Sequence, residues 1–351
     1  TGLDIVEQQI RISAGEKLQF TQSDIKQDGW AMECRLYAED PLRGFMPSIG
    51  RLTRYREPES SDTIRVDSGV TEGDQISMYY DPMISKLISY GVDRKSAIKE
   101  MLGALDLYEI EGISQNISFL SAILSHPRFS KGQLSTAFIE EEYPNGFNAS
   151  VEDEKLDFLL SCAAAVRHKL NTRRRLNPNI KMTYEYTALI GEDRYSLDLS
   201  TDLNSYIIKL NQQVIVLKSD WNPGDKLFVG TLDDRKFVVK VSYLGSRIFL
   251  SWRGSETVIV VRSKRGAELA GLIPARPPKD LSRFLLSPMP GLLMSLAVKE
   301  GQEVDSGTTL AVVDAMKMEN VLRSERKGVI KSIAVSPGET VSVDQVIMEF
   351  E

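Results

Sequence analysis

One stretch of this chain overlays another without a gap. Shifting the segment that starts at Gly291 by 37 positions places Gly291 on Gly328, Ser295 on Ser332, Ala297 on Ala334, Val298 on Val335, Gly301 on Gly338 and Val304 on Val341. Leu296 falls on Ile333 and Leu310 on Ile347, and the overlay runs out with Asp314 on Glu351. A self-repeat of strand-length segments predicts two similar halves packed about a pseudo-twofold axis. Each half carries a Gly-Gln/Glu-x-Val turn, where Gly301 and Gly338 can take positive φ at little cost. Between the halves lies Asp314-Ala315-Met316-Lys317-Met318-Glu319. A short connection there predicts a hairpin tip that presents Lys317 to solvent. A lone lysine in a turn is an ordinary surface residue, but methionines on both sides of it are unexpected unless an enzyme recognises the tip.

The repeat occupies only 285–351, and 351 residues leave room for two or three domains. Residues 1–147 mix strand and helix patterns. Alternation predicts a strand over 30–38, followed by a turn-rich stretch with Pro41, Gly44, Pro47 and Gly50. Helical spacing predicts a helix over 93–108 with Asp93 as its N-cap, and another over 115–124 that ends before His126-Pro127. The start, Thr1-Gly2-Leu3-Asp4, leads into an amphipathic helix (Leu3, Val6, Ile10, Ile12), from which we expect upstream sequence.

Residues 148–270 open with a single helical stretch, 152–171, in which Leu156, Leu159, Leu160, Ala163, Val166 and Leu170 keep helical spacing. Eight strand patterns follow, about 181–190, 193–200, 203–211, 213–219, 226–231, 235–243, 246–253 and 256–262, with turn signals such as Gly191-Glu192 and Asn222-Pro223-Gly224. They predict a closed antiparallel sheet with the helix as its filling. The segment 271–284, with Pro274, Pro277 and Pro278, reads as a semi-rigid linker reaching about 43 Å in polyproline form, so the last domain is expected to move.

Composition removes several classes of function. A net charge of −6 speaks against nucleic-acid binding, and no apolar run approaches the roughly 18 residues of a membrane span. Cys34 and Cys162 are isolated, which gives no disulfide framework, no CxxC and no zinc site, and fits a reducing compartment. On that reading the N-x-S matches at Asn116 and Asn148 are chance. His126 and His168 have no second ligand at metal spacing and read as structural, so no metal site is expected within this chain.

Ala315-Met316-Lys317-Met318 inside such a repeat, preceded by Ser287-Pro288-Met289-Pro290-Gly291, resembles the biotin carboxyl carrier domain of the biotin-dependent acyl-CoA carboxylases. Lipoyl domains share the hairpin lysine but usually set it in Asp-Lys-Ala without paired methionines. The first domain is similar to the C-terminal part of a biotin carboxylase, through Thr1-Gly2-Leu3-Asp4, Glu33-Cys34-Arg35-Leu36-Tyr37-Ala38-Glu39-Asp40-Pro41, Tyr80-Asp81-Pro82-Met83-Ile84-Ser85-Lys86-Leu87-Ile88 and Gly112 through Leu120. The middle resembles the domain that joins carboxylase and carboxyltransferase subunits in that family. Gly29-Trp30-Ala31, Pro47 through Leu52 and Glu142-Tyr143-Pro144-Asn145-Gly146-Phe147 lean the same way.

The resemblance implies a multidomain α+β chain. Residues 1–147 would be the C-terminal part of an ATP-grasp biotin carboxylase domain, and 148–270 a subunit-joining (BT) antiparallel β-barrel around a central helix. A linker over 271–284 would lead to a flattened β-barrel biotinyl domain with pseudo-twofold symmetry at 285–351. It implies a ligase activity: ATP- and bicarbonate-dependent carboxylation of biotin held covalently on Lys317, with Mg²⁺ or Mn²⁺, then transfer on a carboxyltransferase β subunit to propionyl-CoA, giving methylmalonyl-CoA. The alternatives are another acyl-CoA such as 3-methylcrotonyl-CoA, or a lipoyl-type carrier. It also implies a biotin protein ligase that reads Met316 and Met318, self-association through the carboxylase domain, and docking of the β subunit on apolar positions exposed on the barrel helix and its neighbouring strands. The compartment would be cytoplasmic in a bacterium and the mitochondrial matrix in a eukaryote. The family's earlier lobes, with the glycine-rich lid and most ATP and metal ligands, have no counterpart here, so this chain alone is expected to lack carboxylase activity.

By the same resemblance Arg35 is a catalytic residue: a guanidinium stays protonated and can donate two parallel hydrogen bonds to a developing oxyanion. The competing reading is a strand arginine paired with Glu33, Glu39 or Asp40. Asp81 and Lys86 fall near the family's active-site floor and dimer contact, or form a structural ion pair. The run Arg173-Arg174-Arg175 reads as a solvated helix end or a subunit contact.

Overall fold

The computed structural model describes residues 1–77, 79–172, 183–202, 205–274, 283–315 and 318–351. Helix α1 (Ile5–Ser13) starts where the Asp4 carboxylate accepts the Glu7 N–H at 2.9 Å, and none of its residues is buried. The first domain is built on an antiparallel sheet of β1 (Trp30–Tyr37), β2 (Ile64–Ser68) and β3 (Met83–Gly91), in the order β1-β3-β2. Helix α2 (Arg94–Leu107) is capped by Asp93, which accepts the Ser96 N–H at 2.7 Å. It covers one face of the sheet, where Cys34, Leu36 and Leu87 meet Met101 and Leu105. Alternation leaves Glu33 and Arg35 on the other face. Helix α3 (Ile117–Ser125) completes this unit.

Helix α4 (Asp153–Thr172) runs inside a closed barrel of eight antiparallel strands: β4 (Tyr184–Ile190), β5 (Asp193–Asp202), β6 (Ser205–Leu210), β7 (Gln213–Lys218), β8 (Leu227–Leu232), β9 (Arg235–Leu244), β10 (Arg247–Trp252) and β11 (Ser255–Ser263). Closure comes from β4, which pairs with both β5 and β11. Cys162 and Ala163 through Ala165 are fully buried against the strands, since only small side chains let a helix and a barrel wall approach on all sides. This corrects one expectation. The helix offers no apolar docking face, because its apolar residues fill the barrel; exposed apolar positions lie on strands, at Val214, Val229 and Leu244. A short helix that the sequence did not suggest, α5 (Lys264–Ala270), follows, with Ser263 Oγ accepting the Gly266 N–H. Most of the proline-rich linker and the Arg173-Arg174-Arg175 run lie outside the described residues.

The last domain realises the repeat strand by strand. Its strands are β12 (Phe284–Leu286), β13 (Gly291–Leu296), β14 (Glu303–Val304), β15 (Thr309–Ala315), β16 (Met318–Arg323), β17 (Gly328–Ile333), β18 (Thr340–Val341) and β19 (Val346–Phe350). One sheet runs β12-β19-β17-β14 and the other β16-β15-β13-β18, and the 37-residue shift carries one order onto the other. Each half thus lends both edge strands to the sheet whose central strands belong to the other. Gly301 N–H donates to Ile330 carbonyl at 2.7 Å, and Gly338 N–H donates to Leu293 carbonyl at 2.7 Å, the same bond moved by the repeat.

Candidate functional site

Strands β15 and β16 pair in register down to Asp314 opposite Glu319 and Ala315 opposite Met318. Two residues, Met316 and Lys317, therefore join them, and both lie outside the described residues. The surrounding frame is stiff. Ala315 is buried, and Gly291 passes so close to the hairpin that a Cβ there would sit 2.6 Å from the Asp314 carbonyl oxygen. Asp314 Oδ1 is buried without a hydrogen-bond partner. Chemically, this frame suits a group tethered by an amide to the lysine amine: it supplies a short connection on a rigid two-sheet body.

The second place of interest is the open face of the β1-β3-β2 sheet. Register puts Arg35 opposite Lys86 and Lys86 opposite Asp67. Arg35 Nε donates to Glu33 Oε1 at 3.1 Å, yet its side chain stays 58% exposed. Hydrogen bonds to Glu33 and then Tyr37 push its pKa further up, so it is a permanent cation. Among the described residues Lys86 has no ion-pair partner. Two adjacent cations on one strand pair repel each other and suit an anion set between them.

Asp81 does not reach Lys86. It precedes β3, where its Oδ1 accepts the Met83 N–H at 2.9 Å; the Glu39 carboxyl is pushed up by its own burial and then by the Asp81 charge. Cys34 faces the core, and burial lifts its thiol to about 12, far from a nucleophile's range. His126 is structural: Nδ1 accepts the Arg128 N–H at 3.3 Å and Nε2 lies 3.2 Å from Glu142. Among the described residues no group of three or more His, Cys, Asp or Glu is placed to hold a metal. No helix among them is long and apolar enough to cross a membrane.

Sequence reasoning missed the joint between the first domain and the barrel. Arg253, in the β10–β11 turn, reaches Asp106 of α2 at 2.8 Å, with Lys240 of β9 beside them. Lys226 pairs with Glu111 at 2.8 Å, and a cavity of about 390 Å³ lies between Glu109–Glu111 and strands β8 to β11. Gly254 abuts Ala122 of α3. No local pattern marks these residues, because their partners are remote in sequence.

Three family models match along the chain: the biotin carboxylase C-terminal domain at 33–141, the propionyl-coenzyme A carboxylase BT domain at 159–276, and the biotin-requiring enzyme (biotin/lipoyl) model at 285–350. The propionyl-CoA carboxylase alpha chain of Ruegeria pomeroyi is 43% identical over all of this chain and 56% of its own length. The human mitochondrial propionyl-CoA carboxylase alpha chain is 34% identical over all of this chain and 50% of its own length. The rice mitochondrial methylcrotonoyl-CoA carboxylase subunit alpha is 29% identical over 99% and 52%. The chain thus spans about half the length of the curated relatives it matches. A crystal structure of the biotin carboxylase subunit of pyruvate carboxylase is 41% identical over 41% of this chain and 32% of that one, at a TM-score of 0.39.

Proposed function

The chain belongs to the family of propionyl-CoA carboxylase alpha chains, and on that premise we propose that it carries biotin on Lys317 and takes part in ATP- and bicarbonate-dependent carboxylation of an acyl-CoA. The observation that carries this reading is the two-residue connection Met316-Lys317 closing a paired hairpin inside the strand-exchanged repeat. The match of residues 159–276 to the propionyl-coenzyme A carboxylase BT domain supports propionyl-CoA as the acyl substrate. Residues 1–147, 148–270 and 285–351 serve as carboxylase segment, subunit-joining barrel and carrier, with 271–284 as the tether.

Biotin, once attached, supplies a ureido nitrogen that ferries carbon dioxide between two sites. The carrier needs no acid or base for this: its tether raises the local concentration of the attached group at both. Arg35 donates from its guanidinium to the oxygen on which negative charge gathers, while Glu33 holds Nε and fixes the fork. Lys86, opposite Arg35, adds a second positive charge to that face. The barrel presents its strands to a carboxyltransferase β subunit, and a biotin protein ligase reads Met316 and Met318. Asp81 acts through Glu39 near a contact between carboxylase domains. The setting is the cytoplasm of a bacterium or a mitochondrial matrix.

The test is the intact mass of the chain co-expressed with a biotin ligase, followed by peptide mapping. One biotinyl increment on Lys317 is expected. An unmodified chain, or a lipoyl increment, overturns the carrier assignment.

A further inference from the structure

The last domain leans on the first at a short bracket, residues 41–46. Pro41 is buried, Asp40 Oδ1 accepts the Leu42 N–H at 3.0 Å, and the Phe45 N–H donates to the Asp40 carbonyl at 2.8 Å. Phe45 has φ of 62°, a left-handed conformation strained for an aromatic residue, which its surroundings must impose. They do so through an aromatic nest: Phe119 meets the Phe45 ring edge-on at 4.7 Å, and Tyr143 and Phe147 back Phe119. With Phe45 pinned, its neighbours contact the last domain. Arg43 Nη2 donates to Asp344 Oδ1 at 2.9 Å, and Met46 packs against that domain's hydrophobic core.

Asp344 is held just as firmly. Its N–H donates to the Ser287 carbonyl at 2.8 Å, and the Ser287 N–H donates to the Gln345 carbonyl at 2.9 Å. Strand register locates this turn. Leu292 lies between Asp314 and Thr340, and Gly291 lies opposite Val341, so residues 342–345 continue past the sheet at the end where Ala315 and Met318 close the hairpin. The carrier therefore touches the first domain with its lysine-bearing end. Arg43 and Asp344 are 43% and 59% exposed, and a surface pair of that kind is weak, as suits a domain that must leave again.

We infer that the 41–46 bracket is the surface on which the carrier docks to be loaded, with Arg43 and Met46 on the carboxylase segment and Asp344 on the carrier. This rests on the carrier function proposed above.

The test uses the full-length carboxylase chain and its biotinylated carrier, with labelled bicarbonate and ATP. Label fixed on the chain's own carrier is compared with label fixed on added free biotin, which needs no docking. Arg43→Asp is expected to slow own-carrier labelling threefold or more and leave free-biotin labelling unchanged, and Asp344→Arg to do the same. The double reversal is expected to restore the rate, which also excludes misfolding as the cause. Equal own-carrier rates in all four proteins, or no rescue in the double variant, overturns the docking assignment. A wild-type chain that labels neither its carrier nor free biotin overturns the carboxylase reading, and the docking inference falls with it.

Discussion

Arg253 and Asp106 come from different domains and meet at 2.8 Å, yet the pairing does not bring the Asp106 carboxyl below its ordinary pKa. Burial pushes its carboxyl up to about 6, outweighing the pull of Arg253 and Lys240 in the other direction. The same joint draws the Lys240 ammonium down to about 8, also by burial, against Asp106, Glu256 and Glu109.

Stability should therefore depend on pH at this joint. Asp106 binds its proton more tightly folded than unfolded, so its contribution is largest below the ordinary value of 3.8 and is lost as pH rises towards about 6. Lys240 binds its proton less tightly when folded, so its contribution is poorest below about 8 and recovers as pH climbs towards 10.5. Asp106→Asn is expected to flatten the fall in Tm between about pH 4 and 6. Melting curves of variant and wild type that stay parallel across that window would rule the assignment out.

Gly254 gives a second test of the same joint. It has φ of 83°, and a Cβ there would lie 2.7 Å from the Cβ of Ala122. Gly254→Ala should cost about 1–3 kcal/mol, since strain and clash add. Gly245, with φ of 58° and nothing within 4 Å, supplies the control: Gly245→Ala meets strain alone and should cost less. Equal losses in chemical denaturation would mean that the contact with Ala122 contributes nothing.

Neither thiol should react in the native protein. Cys34 and Cys162 are both buried, and burial raises both thiol pKa values, Cys34 to about 12. Ellman's reagent at pH 8 should find no fast thiol before unfolding and both after it. A rapid native thiol would contradict the packing of β1 or of α4.

Lys317→Arg should abolish biotin attachment while leaving the carrier folded, with retained streptavidin binding as the contrary result. Met316→Ala and Met318→Ala should slow a biotin ligase and leave a lipoyl ligase indifferent.

Arg35→Ala in a full-length chain should slow ATP-dependent carboxylation of biotin and spare transfer at the β subunit. Equal loss in both half-reactions would make Arg35 a structural partner of Glu33.

The parts of this chain that were legible in the sequence are those written locally. The eight barrel strands match their patterns closely because the turns between them carry their own signals. Asn211-Gln212 and Asp233-Asp234 take positive φ in two-residue hairpins, and Gly191 and Gly245 do so in others. Helix α2 is announced by Asp93, and the carrier by its repeat. Helix α5 escaped because it is short and has Gly266 inside it. Contacts that join domains escaped for another reason: Arg43 and Asp344, or Asp106 and Arg253, obey no period, and only the folded chain brings them together. The expected partnership of Asp81 with Lys86 failed on geometry, since one residue precedes β3 and the other faces Arg35 across it.

The strand exchange in the carrier also sets an order of events during synthesis. The sheet that holds the Lys317 hairpin lacks its edge strand until Thr340 and Val341 have been made, and the opposing sheet lacks Val346–Phe350 for longer still. A chain that has grown only as far as Lys317 has therefore made the proposed acceptor lysine without the body that supports it. A ligase that reads the folded hairpin would act only once residue 350 is in place, so a chain cut short before then is expected to stay unmodified.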